Sequence, residues 1–236
     1  MTEKGSKPLI KCRDVAIAYD KLLAAEGITF DVFEGDYICI TGENGSGKST
    51  LLKGILGLNP LKSGKIDYFG ISKREIGYLP QQTSIQRDFP ASVYEVVISG
   101  CLGKRGIRPY YNKKERQLAD YNIERLGIAD LKKRSYRELS GGQQQRVMLA
   151  RALCASERMI LLDEPITGLD PMVTAELYSI IRQLNNDGVT VIMVSHDASG
   201  AIREAKKILH LDTTMKFFGT AEEYIQSDIG KRFLSR

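Results

Sequence analysis

Three short runs of this chain are apolar at nearly every position: "YICI" at Tyr37 to Ile40, "MILL" at Met159 to Leu162, and "VTVIMV" at Val189 to Val194. Strands that are apolar on both faces are expected in a parallel sheet covered by helices. Each run ends at residues with chemistry to offer: a glycine-rich turn, a pair of carboxylates and a histidine. After the first turn, Leu51, Leu52, Ile55 and Leu56 recur at helical spacing, so "DYICITGENGSGKSTLLKGILGL" predicts a strand–loop–helix unit. Between the second and third runs, Val173, Leu177, Ile180, Ile181 and Leu184 mark an amphipathic helix that "NDG" terminates. The N-terminal segment reads as strand-rich ("ITFDVF", "DYICI"), with an acidic turn at Glu34 to Asp36. From Thr83 to Ser156, approximately, the period turns helical with polar connections, as in "ASVYEVVISG" and "ERQLADYNIERLGI". This predicts a helical insertion in an α/β core, with no internal repeat or low-complexity tract.

At 236 residues, 42% hydrophobic and 27% charged, the chain has room for one large α/β domain or a core with a small inserted one. Its formal charge of +5 raises the question of nucleic acid. However, Lys104, Arg105, Arg108, Lys113, Lys114 and Arg116 alternate with apolar and acidic residues and form no long block, so a solvated face or an anionic membrane surface explains the charge as well. No apolar run approaches the roughly 20 residues needed to span a bilayer, and "MTEKGSKPLI" lacks a secretory segment. The expectation is a chain that stays inside the cell and does not cross a membrane by itself. Cys12, Cys39, Cys101 and Cys154 show neither CxxC nor Cys/His spacing, which favours buried reduced thiols over a disulfide framework or a zinc site.

"GENGSGKS", Gly42 to Ser49, fits the phosphate-loop pattern and has a strand before it and a helix after it. Its glycines let backbone N–H groups converge on phosphate oxygens at a helix N-terminus. Lys48 is expected to reach the β- and γ-phosphates, and Ser49 to ligate Mg²⁺. Asp163 and Glu164 end a buried strand, where α/β sheets present ligands with chemistry. Asp163 is expected to serve Mg²⁺ directly or through its shell, and Glu164 to orient or deprotonate the attacking water; a plain pair of loop carboxylates is the alternative. His196 also follows a strand and is placed either to contact the γ-phosphate or to pack. His210, inside "ILHLD", reads as a packed strand residue. "LSGGQ" puts Ser140, Gly141 and Gly142 ahead of the helix "QQQRVMLARALC", which makes a second anion site or a simple N-cap.

The ordered set "GENGSGKST", "YLPQQ", "LSGGQQQR", "ILLDEP", "TGLD" and "SHD" resembles the ATP-binding cassette (ABC) ATPases from Tyr19 to Asp197. That resemblance implies a single domain over residues 1–236: a RecA-like phosphate-loop NTPase core with an N-terminal antiparallel β subdomain and an inserted helical subdomain. It implies ATP bound with Mg²⁺ by Gly42, Glu43, Asn44, Gly45, Ser46, Gly47, Lys48, Ser49 and Thr50, with Tyr19 stacked on adenine unless it simply packs in its strand. It also implies a head-to-tail homodimer, in which Ser140, Gly141, Gly142 and Gln143 close the neighbouring chain's site and Asp170 communicates across the interface. Gln81 would contact Mg²⁺ or water and sense a membrane partner, with adjacent Gln82 the other candidate. "QTSIQRDFPASVYEVVISG" is similar to ATPase subunits of zinc and manganese importers, although Ile166 stands where many of that branch carry an aromatic residue. The implied function is the ATP-hydrolysing subunit of an importer, powering uptake of a divalent transition-metal cation, zinc or manganese. It would lie at the cytoplasmic face of the membrane and work with integral permease subunits and, indirectly, an extracellular or periplasmic binding protein. The other classes are an ABC ATPase of another transporter, a soluble one acting on nucleic acid or ribosomes, and a regulatory module without turnover. One cassette, with neither zinc module nor coiled coil, speaks against nucleic acid, and retention of Lys48, Asp163, Glu164 and His196 speaks against the last.

Overall fold

A computed structural model describes residues 7–19, 22–81, 90–105 and 108–235. The chain divides into two compact units, Met1–Lys73 with Asn185–Arg236, and Arg74–Leu184.

In the first unit, β1 (Pro8–Tyr19) pairs antiparallel with β2 (Leu22–Phe33) and with β4 (Leu61–Tyr68). A parallel core forms beside them. There β3 (Tyr37–Thr41) lies between β7 (Thr190–Val194) and β8 (Lys207–Asp212), parallel to both. The two parts meet through β9 (Thr214–Thr220), antiparallel to β8 and bridged to β2 at Glu26↔Thr214, which gives the order β4-β1-β2-β9-β8-β3-β7. Every residue of β3 and of β7 is buried, as their unbroken apolar runs require. The acidic turn between β2 and β3 is tied down by Asp36, whose carboxylate accepts the Phe33 N–H at 2.8 Å and pairs with Lys207 Nζ at 2.7 Å. His210 is packed in β8, with Nδ1 2.7 Å from the Tyr224 hydroxyl and its ring edge-on to Phe233, and burial holds its pKa below the usual value.

In the second unit, β5 (Gly77–Leu79) runs parallel to the fully buried β6 (Met159–Asp163). The regular elements described between them are helical. They include α2 (Val93–Ile98), a helical turn at Leu102–Arg105, α3 (Lys113–Arg125) and α4 (Gly141–Ala155), numbered after α1 (Lys48–Ile55) of the first unit. Capping boxes fix the starts of α2 and α3: Ser92 with Glu95, and Asn112 with Glu115. Val147, Leu149, Ala150 and Leu153 of α4 are fully buried, so α4 forms the centre of this unit. Next comes α5 (Pro171–Asn186), whose Leu177, Ile181 and Leu184 are buried and which stops before Asp187 and Gly188.

Cys12, Cys39, Cys101 and Cys154 are all buried and unbridged, and burial pushes the Cys12 and Cys39 thiols up to about 12, so both stay protonated. Among the described residues, no helix is long and apolar enough to cross a membrane.

Candidate functional site

The first unit carries the glycine-rich loop from Gly42 to Gly47 between β3 and α1. Two of its glycines are required by close backbone approach. A Cβ on Gly42, at φ 140°, would fall 1.9 Å from the Leu211 carbonyl oxygen, and one on Gly47, at φ 93°, would fall 2.3 Å from that of Ala24. Gly47 is the N-cap of α1 and supplies no side-chain cap, so the first-turn N–H groups are presented to whatever anion enters the loop. Lys48 is buried, and its ammonium donates to the carbonyl oxygens of Gly42 (3.0 Å) and Glu43 (2.6 Å) and to Ser46 Oγ (3.4 Å). A cation already folded into the loop is oriented before phosphate arrives. Glu43, Asn44 and Gly45 form the exposed rim, and Ser49 and Thr50 lie half-buried on the first turn of α1. His196 is exposed immediately beyond β7, and Asp197 caps α6 (Ala198–Glu204) by accepting the Gly200 N–H at 3.0 Å. Tyr19 ends β1 opposite Leu22; its side chain lies outside the described residues, as does Gln82.

The second unit carries the carboxylates. Asp163 is the last residue of β6, and the Tyr78 hydroxyl donates to its Oδ2 at 3.3 Å. Burial first, and then this neighbouring carboxylate, push the Tyr78 phenol well above its usual range, so it remains a donor. Glu164 follows in a left-handed conformation, φ 52°, with 7% of its surface exposed. Gln81 Nε2 donates to Glu164 Oε2 at 2.8 Å. Thus the structure brings Gln81 to the carboxylate that sequence reasoning singled out as a base. Tyr78 and Thr167, which also touch the carboxylates, open the runs "YLPQQ" and "TGLD", but sequence reasoning assigns neither a role, because their reach to the carboxylates depends on the folded backbone.

"LSGGQ" opens α4, two residues earlier than the expected start at Gln143. The reason is a capping box: Ser140 Oγ accepts the Gln143 N–H at 3.3 Å, and Gln143 Oε1 accepts the Ser140 N–H at 3.0 Å. Gly141 and Gly142 are therefore the first two residues of the helix, and the box leaves their N–H groups outside it. Gly142 has a packing reason as well. A Cβ there would lie 2.4 Å from Val173 Cγ1, so any larger residue forces the Val173 side chain on α5 to shift. A cavity of about 270 Å³ lies at this helix start, walled by Ser140, Gly142, Gln143 and the ion pair of Arg146 with Glu176. Asp170 caps α5, its Oδ1 accepting the N–H groups of Met172 (3.1 Å) and Val173 (3.0 Å).

An open cavity of about 490 Å³ lies beside α2, lined by Pro80, Ala91, Glu95, Val96, Met148 and Arg151 among others. The resemblance to the ABC ATPases implies a groove between Gln81 and the helical insertion, including Phe89, Pro90 and Tyr94, that would receive a short helix of a membrane subunit. Phe89 falls outside the described residues. Tyr94 is turned to another use, its ring lying under Lys132 with Nζ 4.8 Å from the centroid, while Glu95 and Val96 present the cavity wall.

Residues 25–167 match the family model described as ABC transporter. The chain belongs to the ABC transporter family. It is 36% identical to the zinc uptake system ATP-binding protein ZurA of Listeria monocytogenes, an alignment covering 92% of this chain and 88% of that protein. It is 38% identical to the manganese transport system ATP-binding protein MntB of Bacillus subtilis, covering 94% and 93%. Among solved structures, it is similar to cbiO1 of Clostridium perfringens, part of the ABC transporter complex cbiONQ, with a TM-score of 0.80, 26% identity and coverage of 97% and 94%. The ADP conformation of the ATP-binding cassette MJ1267 shares the fold at a TM-score of 0.82 and 21% identity. This ABC protein is accordingly a nucleotide-binding ATP hydrolase on the RecA-like phosphate-loop fold, with antiparallel and parallel sheet portions.

Proposed function

We propose that this ABC ATPase powers uptake of a divalent transition-metal cation, zinc or manganese, through separate membrane permease subunits. The names of its relatives support the cargo, since a zinc uptake protein and a manganese transport protein each align over more than nine-tenths of this chain. One domain comprising both compact units would do the work, as a head-to-tail homodimer at the cytoplasmic face of the membrane, with an extracellular or periplasmic binding protein delivering the ion.

The single observation that supports the mechanism best is the hydrogen bond from Gln81 to Glu164. It couples the carboxylate that would take a proton from water to the residue next to the cavity beside α2. In this reading, the backbone donors of Gly45, Gly47 and Lys48 and the Lys48 ammonium bind the phosphates, and Tyr19 stacks on adenine. Glu164 accepts a proton from the attacking water, and His196 donates to the γ-phosphate. Ser49, Asp163 and the Gln81 amide are oxygen donors, the kind a hard cation prefers, and these residues would hold Mg²⁺. When bound, Mg²⁺ neutralises charge on the phosphate oxygens. Ser140, Gly141, Gly142 and Gln143 would face the partner chain's γ-phosphate, completing its site.

The cavity beside α2 is the proposed seat of a short helix from the permease, its apolar wall facing that helix and Glu95 and Arg151 flanking it. Ala91→Glu and Met148→Glu each place a charge in that wall. The expected result is ATPase activity of the isolated chain within about twofold of wild type and ATP-driven uptake in permease-containing vesicles lowered about tenfold or more, as for loss of a central interface contact. Uptake that survives both substitutions would show that the permease docks elsewhere.

A further inference from the structure

Among the described residues, Gln81 and Thr167 both donate to the Glu164 carboxylate, and Thr167 belongs to its own turn. Gln81 donates to Oε2 at 2.8 Å from the end of β5; Thr167 Oγ1 donates to the same oxygen at 3.3 Å. Thr167 also returns its backbone N–H to the Glu164 carbonyl oxygen at 3.3 Å, so its hydroxyl travels with the carboxylate it holds. The backbone at this point needs such support. Glu164 has φ 52°, a left-handed conformation that residues other than glycine seldom adopt and that persists only where the surroundings enforce it. The side chain is nearly buried, whereas Thr167 is exposed, so the hydroxyl reaches inward from the surface of the turn.

We propose that Thr167 is a positioning residue for hydrolysis: its hydroxyl fixes the rotation of the Glu164 carboxylate toward the water. This rests on the reading of Glu164 as the general base. The division of labour follows from the geometry. Gln81 reaches the carboxylate from the end of β5 through its amide nitrogen, and in the proposed mechanism its amide oxygen also serves magnesium. Thr167 sits three residues from the base in one tight turn, so its hydroxyl is tied to the same stretch of backbone as the carboxylate. Orientation of a base matters to the rate because proton transfer requires the reacting atoms in line at hydrogen-bond distance, while binding of ATP does not depend on it.

The test is ATP hydrolysis by the purified full-length chain carrying Thr167→Val, Thr167→Ser, Glu164→Gln, or Glu164→Gln with Thr167→Val, read in steady state and in single turnover. Valine keeps the shape and removes the hydroxyl at an exposed position, and thermal melting checks that each variant is folded. The expected result is kcat about tenfold lower for Thr167→Val, with KM for ATP within about twofold of wild type. Thr167→Ser should recover most of the loss, and Thr167→Val should cost nothing further in the Glu164→Gln background, because residues acting as one unit are not additive. Wild-type kcat in Thr167→Val, a serine variant as slow as the valine, or an equal loss in both backgrounds overturns the role of Thr167. A fully active Glu164→Gln would instead remove the base on which the proposal stands, an outcome distinguishable from the others by that single variant.

Discussion

Glu164→Gln slows single-turnover ATP hydrolysis by about a hundredfold or more, the usual consequence of losing a general base, while ATP binding persists. The substitution preserves size and leaves an amide within reach of Gln81 and Thr167, so the left-handed turn at Glu164 keeps its supports. What disappears is the negative charge able to accept a proton from water. Since binding and chemistry are separated, the ATP-bound dimer should accumulate, visible as a shift in size-exclusion chromatography when Mg²⁺ and ATP are present. Single-turnover hydrolysis at a near wild-type rate would remove Glu164 from that role.

A second large effect is expected from mixed dimers of one Ser140→Arg chain and one Lys48→Ala chain. Ser140 caps α4, where an arginine both breaks the capping box and fills the cavity at the helix start. Lys48 is the ammonium inside the phosphate loop, and its loss removes the point charge for β- and γ-phosphates. If each "LSGGQ" completes the partner's site, the mixed dimer gathers both lesions in one composite site and leaves the other intact. Turnover should then exceed that of either mutant homodimer by about tenfold or more. If each chain completes its own site, every site carries one lesion and the mixed dimer is as inactive as the homodimers. Measuring phosphate release from purified mixed dimers, with both homodimers alongside, separates the two arrangements.

The phosphate loop and the strand-end carboxylates are legible in the chain because their requirements are local. Gly42 and Gly47 are fixed by backbone atoms 1.9 Å and 2.3 Å from where a Cβ would sit, and no other residue satisfies that. The runs ending at Thr41, Asp163 and Val194 are apolar because both faces of each strand are buried, and burial writes itself into the sequence directly. Other elements leave weaker marks. β4 has no buried residue and carries Gly64 at φ 76°, so "LKSGKIDY" shows no clean alternation. The β8–β9 hairpin turns through Thr213 at φ 55°, a left-handed residue without the glycine that normally signals such a turn. Thr167 escapes notice for the same reason. Its reach to Glu164 depends on the left-handed backbone of Glu164, and nothing in "DEPITGLD" announces that conformation. Tyr94 shows a different limit: helical spacing identifies it as part of an amphipathic face, but only the position of Lys132 decides which wall of α2 it occupies.

Metal content of cells that depend on this chain tests the central claim most directly. Cells lacking it, grown in metal-poor medium and supplied with the wild-type chain, should regain zinc or manganese to several times the level of the deficient cells, read by inductively coupled plasma mass spectrometry. The Glu164→Gln chain, expressed to the same level, should leave metal content at the deficient value. Equal restoration of zinc or manganese by the Glu164→Gln chain, or no change in either metal with the wild-type chain, would contradict an ATPase that drives their uptake.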